Sequence, residues 1–177
     1  MRERKPVGMP DNVWEHVRKL KHENDSVRLR SVITLGKIGD KSAVPHLGQT
    51  LLKDKNWRVK DSAAEALGRI GDKSGVPYLA EGLKDEDELV RLSVVRAFRE
   101  IGYKSGVPHL MVPYLIKALN DKSSVVKRGA IYTLGDMGYE RVLPPSAQTI
   151  LKDKDARYSW AAVVGLQKMV SSFPFIK

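Results

Sequence analysis

The sequence predicts an all-α protein with the fold of a right-handed α-solenoid, built from about five stacked helix pairs. The first observation is a recurring phrase: ALGRIGDKSGVPYL at 66–79 is nearly repeated at 34–47 and 97–110, and it returns in altered form at 133–146. The second is that the apolar residues of each copy fall at helical spacing, and no stretch alternates as a strand would. Because a stacked architecture makes the same turn in every layer, the phrase indicates a scaffold.

The second helix of each unit is marked by a leucine or phenylalanine, called here the anchor. The anchors are Leu35, Leu67, Phe98, Leu134 and Leu166, at spacings of 32, 31, 36 and 32 residues. Apolar residues eight positions before and three positions after each anchor share its helical face. Glycine favours the left-handed position that follows a helix. The predicted ends of these helices, of roughly thirteen residues each, are Gly39, Gly71, Gly102 and Gly138.

The first helix of each unit is predicted to begin at a proline, which is favoured in the first turn of a helix. The candidates are Pro45, Pro77, Pro108 and Pro113. Two of them fall in one unit, in the stutter VPHLMVPYL at 107–115, where the anchor spacing also rises to 36 residues. We therefore expect a helix that is lengthened, doubled or kinked at Pro113, and a change of pitch there.

The repeats assign residues 1–177 to a single domain. Its predicted units cover approximately residues 10–42, 43–74, 75–105, 106–142 and 143–177.

Composition indicates a folded chain that does not enter a membrane. Of the 177 residues, 42% are hydrophobic and 29% charged, and no run approaches the ~18 apolar residues of a membrane span. The start of the chain also lacks the apolar stretch of a secretory signal, so we expect a cytoplasmic protein with no membrane partner. The absence of cysteine excludes disulfides, thiolate metal sites and cysteine nucleophiles. Together with the many charges it fits a thermophilic source.

The segment DKNWRVKDSAAEALGRIGD at 54–72 resembles the short HEAT-like repeats of the phycobilisome-lyase type. The resemblance covers nearly the whole chain and implies that the second helices line the concave side of the solenoid. It also implies that a loop aspartate and a basic residue of the second helix tie neighbouring loops together. The loop aspartates are Asp54, Asp85, Asp121 and Asp153, and the basic positions hold Arg28, Lys60, Arg91 and Lys127.

Neither a catalytic site nor a metal site is predicted. The resembling family includes scaffolds, chaperone-like lyases and a di-iron hydroxylase, which places His-Glu pairs inside second helices. Here the His22-Glu23 pair falls in a predicted loop, and the corresponding helical positions hold no such pair. The glycines form no phosphate-binding loop. The sequence therefore predicts a non-enzymatic protein without a cofactor or a small-molecule substrate.

The favoured hypothesis is a protein-protein interaction scaffold that binds its partner along the concave face. Apolar and aromatic side chains interleaved with arginine, at positions where the fold needs no apolar residue, are typical of interface anchors. The residues predicted to bind the partner are Leu92, Arg96, Arg128, Tyr132 and Trp160. An acidic partner is expected because basic residues outnumber acidic residues, 31 against 21, which gives a net charge of +10.

Two alternatives remain open. The same charge attracts nucleic acid or a ribosomal surface, and the predicted phosphate contacts are Arg2, Arg4, Lys5, Arg18, Lys19, Lys21, Arg28, Arg30, Lys41, Lys73 and Lys104. The resemblance also leaves open a lyase-like chaperone subunit.

Overall fold

The computed structural model describes residues 4–139, 141 and 143, and in these residues the protein is all-α. The helices are α1 Asp11–Lys19, α2 Asp25–Ile38, α3 Val44–Lys53, α4 Trp57–Ile70, α5 Val76–Gly82, α6 Glu88–Ser105, α7 Val112–Ala118 and α8 Ser124–Asp136. Three turns of 3-10 helix, Lys41–Ala43, Lys73–Gly75 and Pro108–Leu110, precede α3, α5 and α7. No strand occurs among the described residues, as the sequence predicts.

The helices form successive pairs that stack side by side. The first helices are α1, α3, α5 and α7, and the second helices are α2, α4, α6 and α8. Each second helix packs against the next one along the stack, and each also packs against the first helix of its own pair. The described repeats therefore share one continuous core, as expected of a solenoid in which each unit covers its neighbour.

The anchors of the predicted repeat form the centre of this core. Leu35, Leu67, Phe98 and Leu134 are all buried, and the Phe98 ring stacks on Tyr114 with centroids 5.4 Å apart. The predicted fifth anchor, Leu166, lies outside the described residues, as does the unit 143–177 apart from residue 143.

Polar side chains at both ends define the second helices. Each begins after a residue whose side-chain oxygen accepts a hydrogen bond from the backbone N–H two residues on, which satisfies a donor at the helix start. These N-caps are Asn24, Asn56, Asp87 and Ser123. The ends of α2 and α4 fall where predicted, because Gly39 and Gly71 both take the left-handed conformation with φ of 74°.

The predicted end of the third second helix at Gly102 is wrong. Helix α6 continues through this residue to Ser105 and ends at Gly106, whose φ is 68°. Gly102 serves another purpose, since a Cβ there would lie 3.3 Å from the Pro108 Cα and 2.7 Å from the Met137 Cε. Glycine at this position allows the chain that follows α6 to pack closely against it.

The additional turn of α6 accounts for the longer spacing between the third and fourth anchors. Helix α6 has 18 residues, whereas α2 and α4 have 14 each. The lengthened helix is thus the one before the stutter, and Pro113, in the first turn of α7, begins the regular first helix. Leu115 of the second Val-Pro motif is fully buried, whereas Leu110 of the first is 42% exposed.

Candidate protein-binding surface of the second helices

The loops at one edge of the stack are joined by ion pairs between successive repeats. The pairs are Arg28–Asp54, Lys60–Asp85 and Arg91–Asp121, each with an N···O distance of 2.7 Å. Each basic residue comes from a second helix, and each aspartate comes from the loop of the following repeat. The structure thus confirms the loop-tying role that the resemblance implies; the next predicted aspartate, Asp153, lies outside the described residues.

Arg28 is committed to this edge and is not free to contact phosphate. Its guanidinium donates from Nε and Nη2 to the two Asp54 oxygens at 2.7 and 2.9 Å, and from Nη1 to the carbonyls of His22 and Glu23 at 2.9 Å each. The hydrogen bond with Asp54 raises the pKa of Arg28, and the side chain is buried. The prediction that Arg28 contacts nucleic acid is therefore wrong.

Successive second helices approach closely where glycine faces alanine. A Cβ on Gly36 would lie 2.9 Å from the Ala66 Cβ, and one on Gly68 would lie 2.9 Å from the Ala97 Cα. Because no side chain separates the backbones at these points, shallow clefts with small-residue floors run between the helices. The cleft between α2 and α4 measures about 170 Å³, and the cleft between α4 and α6 measures about 410 Å³.

Charged side chains of both signs rim these clefts, which together are called the second-helix surface. The rim residues are Ile33, Lys37, Glu65, Arg69, Arg96 and Glu100. Glu65 and Arg69 form an exposed ion pair at 2.7 Å within α4. Ile33 is 39% exposed and supplies an apolar contact on the first of the second helices.

A half-buried carboxyl lies beside the larger cleft. The Ser93 hydroxyl of α6 donates to Asp61 Oδ1 of α4 at 2.5 Å. Burial raises the pKa of Asp61, while the Ser93 hydrogen bond opposes this; Glu65 and Asp87 raise it further, and Arg96 lowers it. Burial therefore makes the charged form of Asp61 unfavourable, and Arg96 on the same surface partly offsets this.

Leu92 is not an exposed anchor, which corrects the sequence prediction. It is only 8% exposed, and its Cδ1 atom lies 2.8 Å from the position that a Cβ on Gly129 would occupy. Glycine at 129 makes room for this leucine between α6 and α8. Leu92 therefore packs between repeats and offers little surface to a partner.

The other residues predicted to bind the partner differ in exposure and location. Arg96 is exposed and lines the cleft between α4 and α6. Arg128 and Tyr132 are half-buried on the next second helix, α8. Trp160 lies outside the described residues. Arg96 and Tyr132 occupy the same position relative to their anchors, two residues before Phe98 and Leu134, so they belong to neighbouring helices in the same register.

The residues predicted to contact nucleic acid are spread over several elements. Arg4, Lys5, Arg18, Lys19 and Lys21 belong to the N-terminal segment, α1 and the start of the loop that follows it. Lys5 pairs with Asp11 at 2.5 Å and Lys19 with Glu15 at 2.7 Å. Arg30 is an exposed residue of α2. Lys41 and Lys73 are exposed in turns at the edge opposite the ion-paired loops, and Arg2 lies outside the described residues.

Lys104 does not lie in a turn as Lys41 and Lys73 do. It belongs to the additional turn of α6, and its Nζ donates to the Arg69 carbonyl at 2.5 Å. Its aliphatic chain covers Gly71, where a Cβ would lie 2.5 Å from the Lys104 Cδ. The turn lysines Lys41 and Lys73 adjoin Asp40 and Asp72, whose carboxylates accept from the Ser42 and Ser74 backbone N–H groups.

No group of histidine and carboxylate side chains among the described residues could hold a metal ion. His46 and His109 stand at matching places in the sequence phrase but not in the structure. His46 is in α3, whereas His109 is exposed in the 3-10 turn before α7, and Tyr114 occupies the helical position that matches His46.

Comparisons with known proteins agree with this architecture. The family model of HEAT repeats matches residues 14–99 and 81–167. Among solved structures, the complex of CpcE and CpcF of phycocyanin lyase from Nostoc sp. PCC7120 aligns with a TM-score of 0.65 at 20% identity, over 98% of this chain and 71% of that chain.

Two engineered proteins are also similar. One aligns with a TM-score of 0.54 at 21% identity, over 92% of this chain and 77% of its own. The other aligns with a TM-score of 0.53 at 17% identity, over 93% and 88%. These likenesses show the fold alone. No curated protein matches the sequence, and none of the described helices has the length and apolar character needed to cross a lipid bilayer.

Proposed function

The chain belongs to the HEAT-repeat family, and on this premise we propose that it is a non-enzymatic scaffold that holds a segment of a partner protein across its second-helix surface. A rigid stack of repeats presents an ordered surface before binding, so that little ordering entropy is lost by the scaffold when a partner is captured. The observation that carries the proposal is the series of clefts along α2, α4 and α6.

The shape of the clefts suits an extended or helical segment of a partner. Their floors are backbone and small side chains at Gly36–Ala66 and Gly68–Ala97, so a partner side chain can approach closely. The two clefts follow one another along the stack and share Glu65 and Arg69 in their linings. A segment that crosses both contacts three second helices.

The charges of the rim define the partner further. Three cations, Lys37, Arg69 and Arg96, stand against two carboxylates, Glu65 and Glu100. Arginine binds carboxylates with two parallel hydrogen bonds, and it is enriched among the residues that dominate interfaces. We therefore expect a partner segment that combines carboxylates with apolar side chains, and we expect Arg96 to be a principal contact, extended by Arg128 and Tyr132 on α8.

Affinity purification from a native lysate tests this function. The chain is used as bait in three forms: unmodified, Arg96→Ala, and the double variant Arg128→Ala/Tyr132→Ala. Removing true interface anchors should weaken capture by roughly 1–4 kcal/mol each, which corresponds to a loss of most of the recovered partner. Arg18→Ala, which removes an exposed arginine from α1, is the matched control and should recover the partner normally.

The same experiment discriminates between the two classes of partner. Recovery of the same protein by all baits would reject the second-helix surface as the binding site. Loss of the partner after nuclease treatment of the lysate would favour nucleic acid as the link, and affinity should then fall steeply between ~50 and ~200 mM salt.

A further inference from the structure

A second cleft lies on the other layer of the stack, between the first helices α1 and α3. It measures about 690 Å³, more than either cleft of the second-helix surface, and the N-terminal segment forms its third wall. Its apolar lining includes Trp14 and Val17 of α1, Leu20 directly after α1, and Pro6 of the N-terminal segment. It shares no lining residue with the second-helix surface.

The next pair of first helices shows how such a space is closed. Between α3 and α5 the Tyr78 ring lies directly on Gly48, with its Cγ 2.3 Å from where a Cβ would be. A large side chain on one helix and glycine on the other thus allow these two helices to pack without a gap.

The corresponding positions of α1 and α3 both carry large side chains. Leu47 is the buried residue before Gly48 in α3, and Val13 is the buried residue before Trp14 in α1, so Trp14 occupies the glycine position. His46 occupies the tyrosine position, since it follows Val-Pro as Tyr78 does. Two rings cannot pack as closely as the Tyr78 ring packs on Gly48. Both Trp14 and His46 instead line the open cleft.

The charge of this cleft is predominantly positive. Arg4, Lys21 and Lys53 line it, against the single carboxylate of Asp54, so that three cations less one anion leave +2 with histidine neutral. The Asp54 carboxylate is in addition paired with Arg28, at 2.7 Å. An apolar floor inside a cationic rim is complementary to an apolar side chain flanked by carboxylates.

We propose that the α1–α3 cleft is a second binding site, which takes an acidic peptide segment of a partner protein. The apolar side chain of the segment lies against Trp14, Val17 and Leu20, and its carboxylates pair with Lys21 and Lys53. The aliphatic side chains of Val17 and Leu20 beside the Trp14 ring favour an apolar peptide side chain over stacked bases. Arg4 and Lys21, which the sequence suggests as phosphate contacts, bind peptide carboxylates in this arrangement.

Fluorescence anisotropy with labelled synthetic peptides tests the site on the full chain. The probe is the peptide Glu-Glu-Leu-Phe-Glu-Glu, compared with a peptide in which lysine replaces glutamate and another in which alanine replaces leucine and phenylalanine. Only the first peptide should bind with a saturable signal below ~1 mM. A single-stranded RNA oligonucleotide of equal charge is tested in parallel.

Two double variants with equal charge change separate the cleft from general electrostatics. Lys21→Glu/Lys53→Glu should weaken binding of the acidic apolar peptide by about tenfold or more, because the reversed charges face its carboxylates. Lys41→Glu/Lys73→Glu changes the net charge equally at the opposite edge and should alter binding by less than about twofold. Circular dichroism verifies that both variants are folded.

An NMR titration of the unmodified chain locates the bound peptide without any variant. The amide signals of Val17, Leu20 and Lys53 should shift when the acidic apolar peptide is added. Absence of saturable binding, equal weakening by both double variants, tighter binding of the oligonucleotide, or shifts confined to α2, α4 and α6 would each overturn the proposal. The Lys21→Glu/Lys53→Glu variant leaves Arg96 and Arg128 unchanged, so a failure of this proposal does not by itself refute the second-helix surface.

Discussion

Arg91 and Asp121 form a buried, bidentate ion pair that joins the third repeat to the fourth. The Arg91 Nε and Nη2 atoms donate to the two carboxylate oxygens at 2.7 and 2.9 Å, and the side chains are only 2% and 9% exposed. The remaining Nη1 donates to the carbonyls of Asp85 and Glu86 at 2.7 and 2.9 Å. One guanidinium thus forms hydrogen bonds with two successive loops, and Arg28 does the same two intervals earlier in the stack.

Removal of this arginine should destabilise the chain strongly. Arg91→Ala leaves the Asp121 carboxylate buried without its partner, a situation that costs about 3–5 kcal/mol in the free energy of unfolding. Urea denaturation followed by circular dichroism measures the loss. Lys84→Ala removes a lysine from the exposed pair with Glu81 and should cost less than about 1 kcal/mol. Similar midpoints for the two variants would contradict the role given to the buried pair.

Alanine should have opposite effects at two helical glycines. Glycine to alanine in a helix interior normally stabilises a protein by about 0.5–1 kcal/mol. At Gly68 the added Cβ meets the Ala97 Cα at 2.9 Å, and because backbone cannot yield easily, Gly68→Ala should destabilise by roughly 1–3 kcal/mol. At Gly129 the nearest atom is the terminal Cδ1 of Leu92, which can rotate away.

In the same urea titration, Gly129→Ala should therefore be neutral or stabilising, whereas Gly68→Ala should be destabilising. If both variants gained stability, the close approach of α4 and α6 would be refuted.

Which of the two Val-Pro motifs at 107–115 begins the first helix of the fourth repeat can be tested directly. Leu115 is fully buried and Leu110 is 42% exposed, although both follow a Val-Pro motif. Leu115→Ala should cost about 2–5 kcal/mol because it leaves a core cavity. Leu110→Ala should stay within about 0.5 kcal/mol of the unmodified chain. The reverse order of thermal midpoints would assign the helix start to Pro108 instead.

Asp61 should lower stability at neutral pH. Burial raises the pKa of this carboxyl above its ordinary value of 3.8, so the folded state binds the proton more tightly than the unfolded state. Its contribution is therefore favourable below that value and is lost as the pH rises through the folded pKa. Asp61→Asn should be more stable than the unmodified chain at ~pH 7, and the difference should vanish towards ~pH 3.

Glu86→Gln, a charge-neutralising change at an exposed loop position, is the control for Asp61→Asn. It should show no comparable dependence on pH in parallel thermal melts. An advantage of Asp61→Asn that persists unchanged at acid pH would contradict the electrostatic explanation.

Much of the fold follows from local sequence, because each repeat presents the same helical pattern. The buried anchors and the left-handed glycines at 39 and 71 need only the spacing of residues within one unit. The additional turn of α6 could not be read in this way. Gly102 has the position of a helix end in the phrase, yet it lies inside α6 and allows the close approach of Pro108, a contact that forms only once the chain has folded back.

The candidate surfaces were less accessible from the sequence because they depend on pairs of residues in different repeats. Leu92 is buried against residue 129 of the next helix, which is glycine. The α1–α3 cleft exists because Trp14 faces a helix that carries His46, a pairing that no single unit reveals. The second-helix residues Arg28, Lys60 and Arg91, in contrast, were predicted in their structural role, since the resemblance implied a loop aspartate of the neighbouring repeat as their partner.

Photo-crosslinking from defined positions tests most directly whether the second-helix surface holds a partner protein. Benzoylphenylalanine is placed at position 100 of α6, which lines the cleft and leaves Arg96 in place, and, in a second preparation, at position 73 in the turn before α5, and each chain is irradiated in native lysate. We predict that position 100 yields one protein adduct, resistant to nuclease and abolished by Arg128→Ala/Tyr132→Ala, and that position 73 does not. Equal adducts from both positions, or adducts only with nucleic acid, would contradict the proposed function.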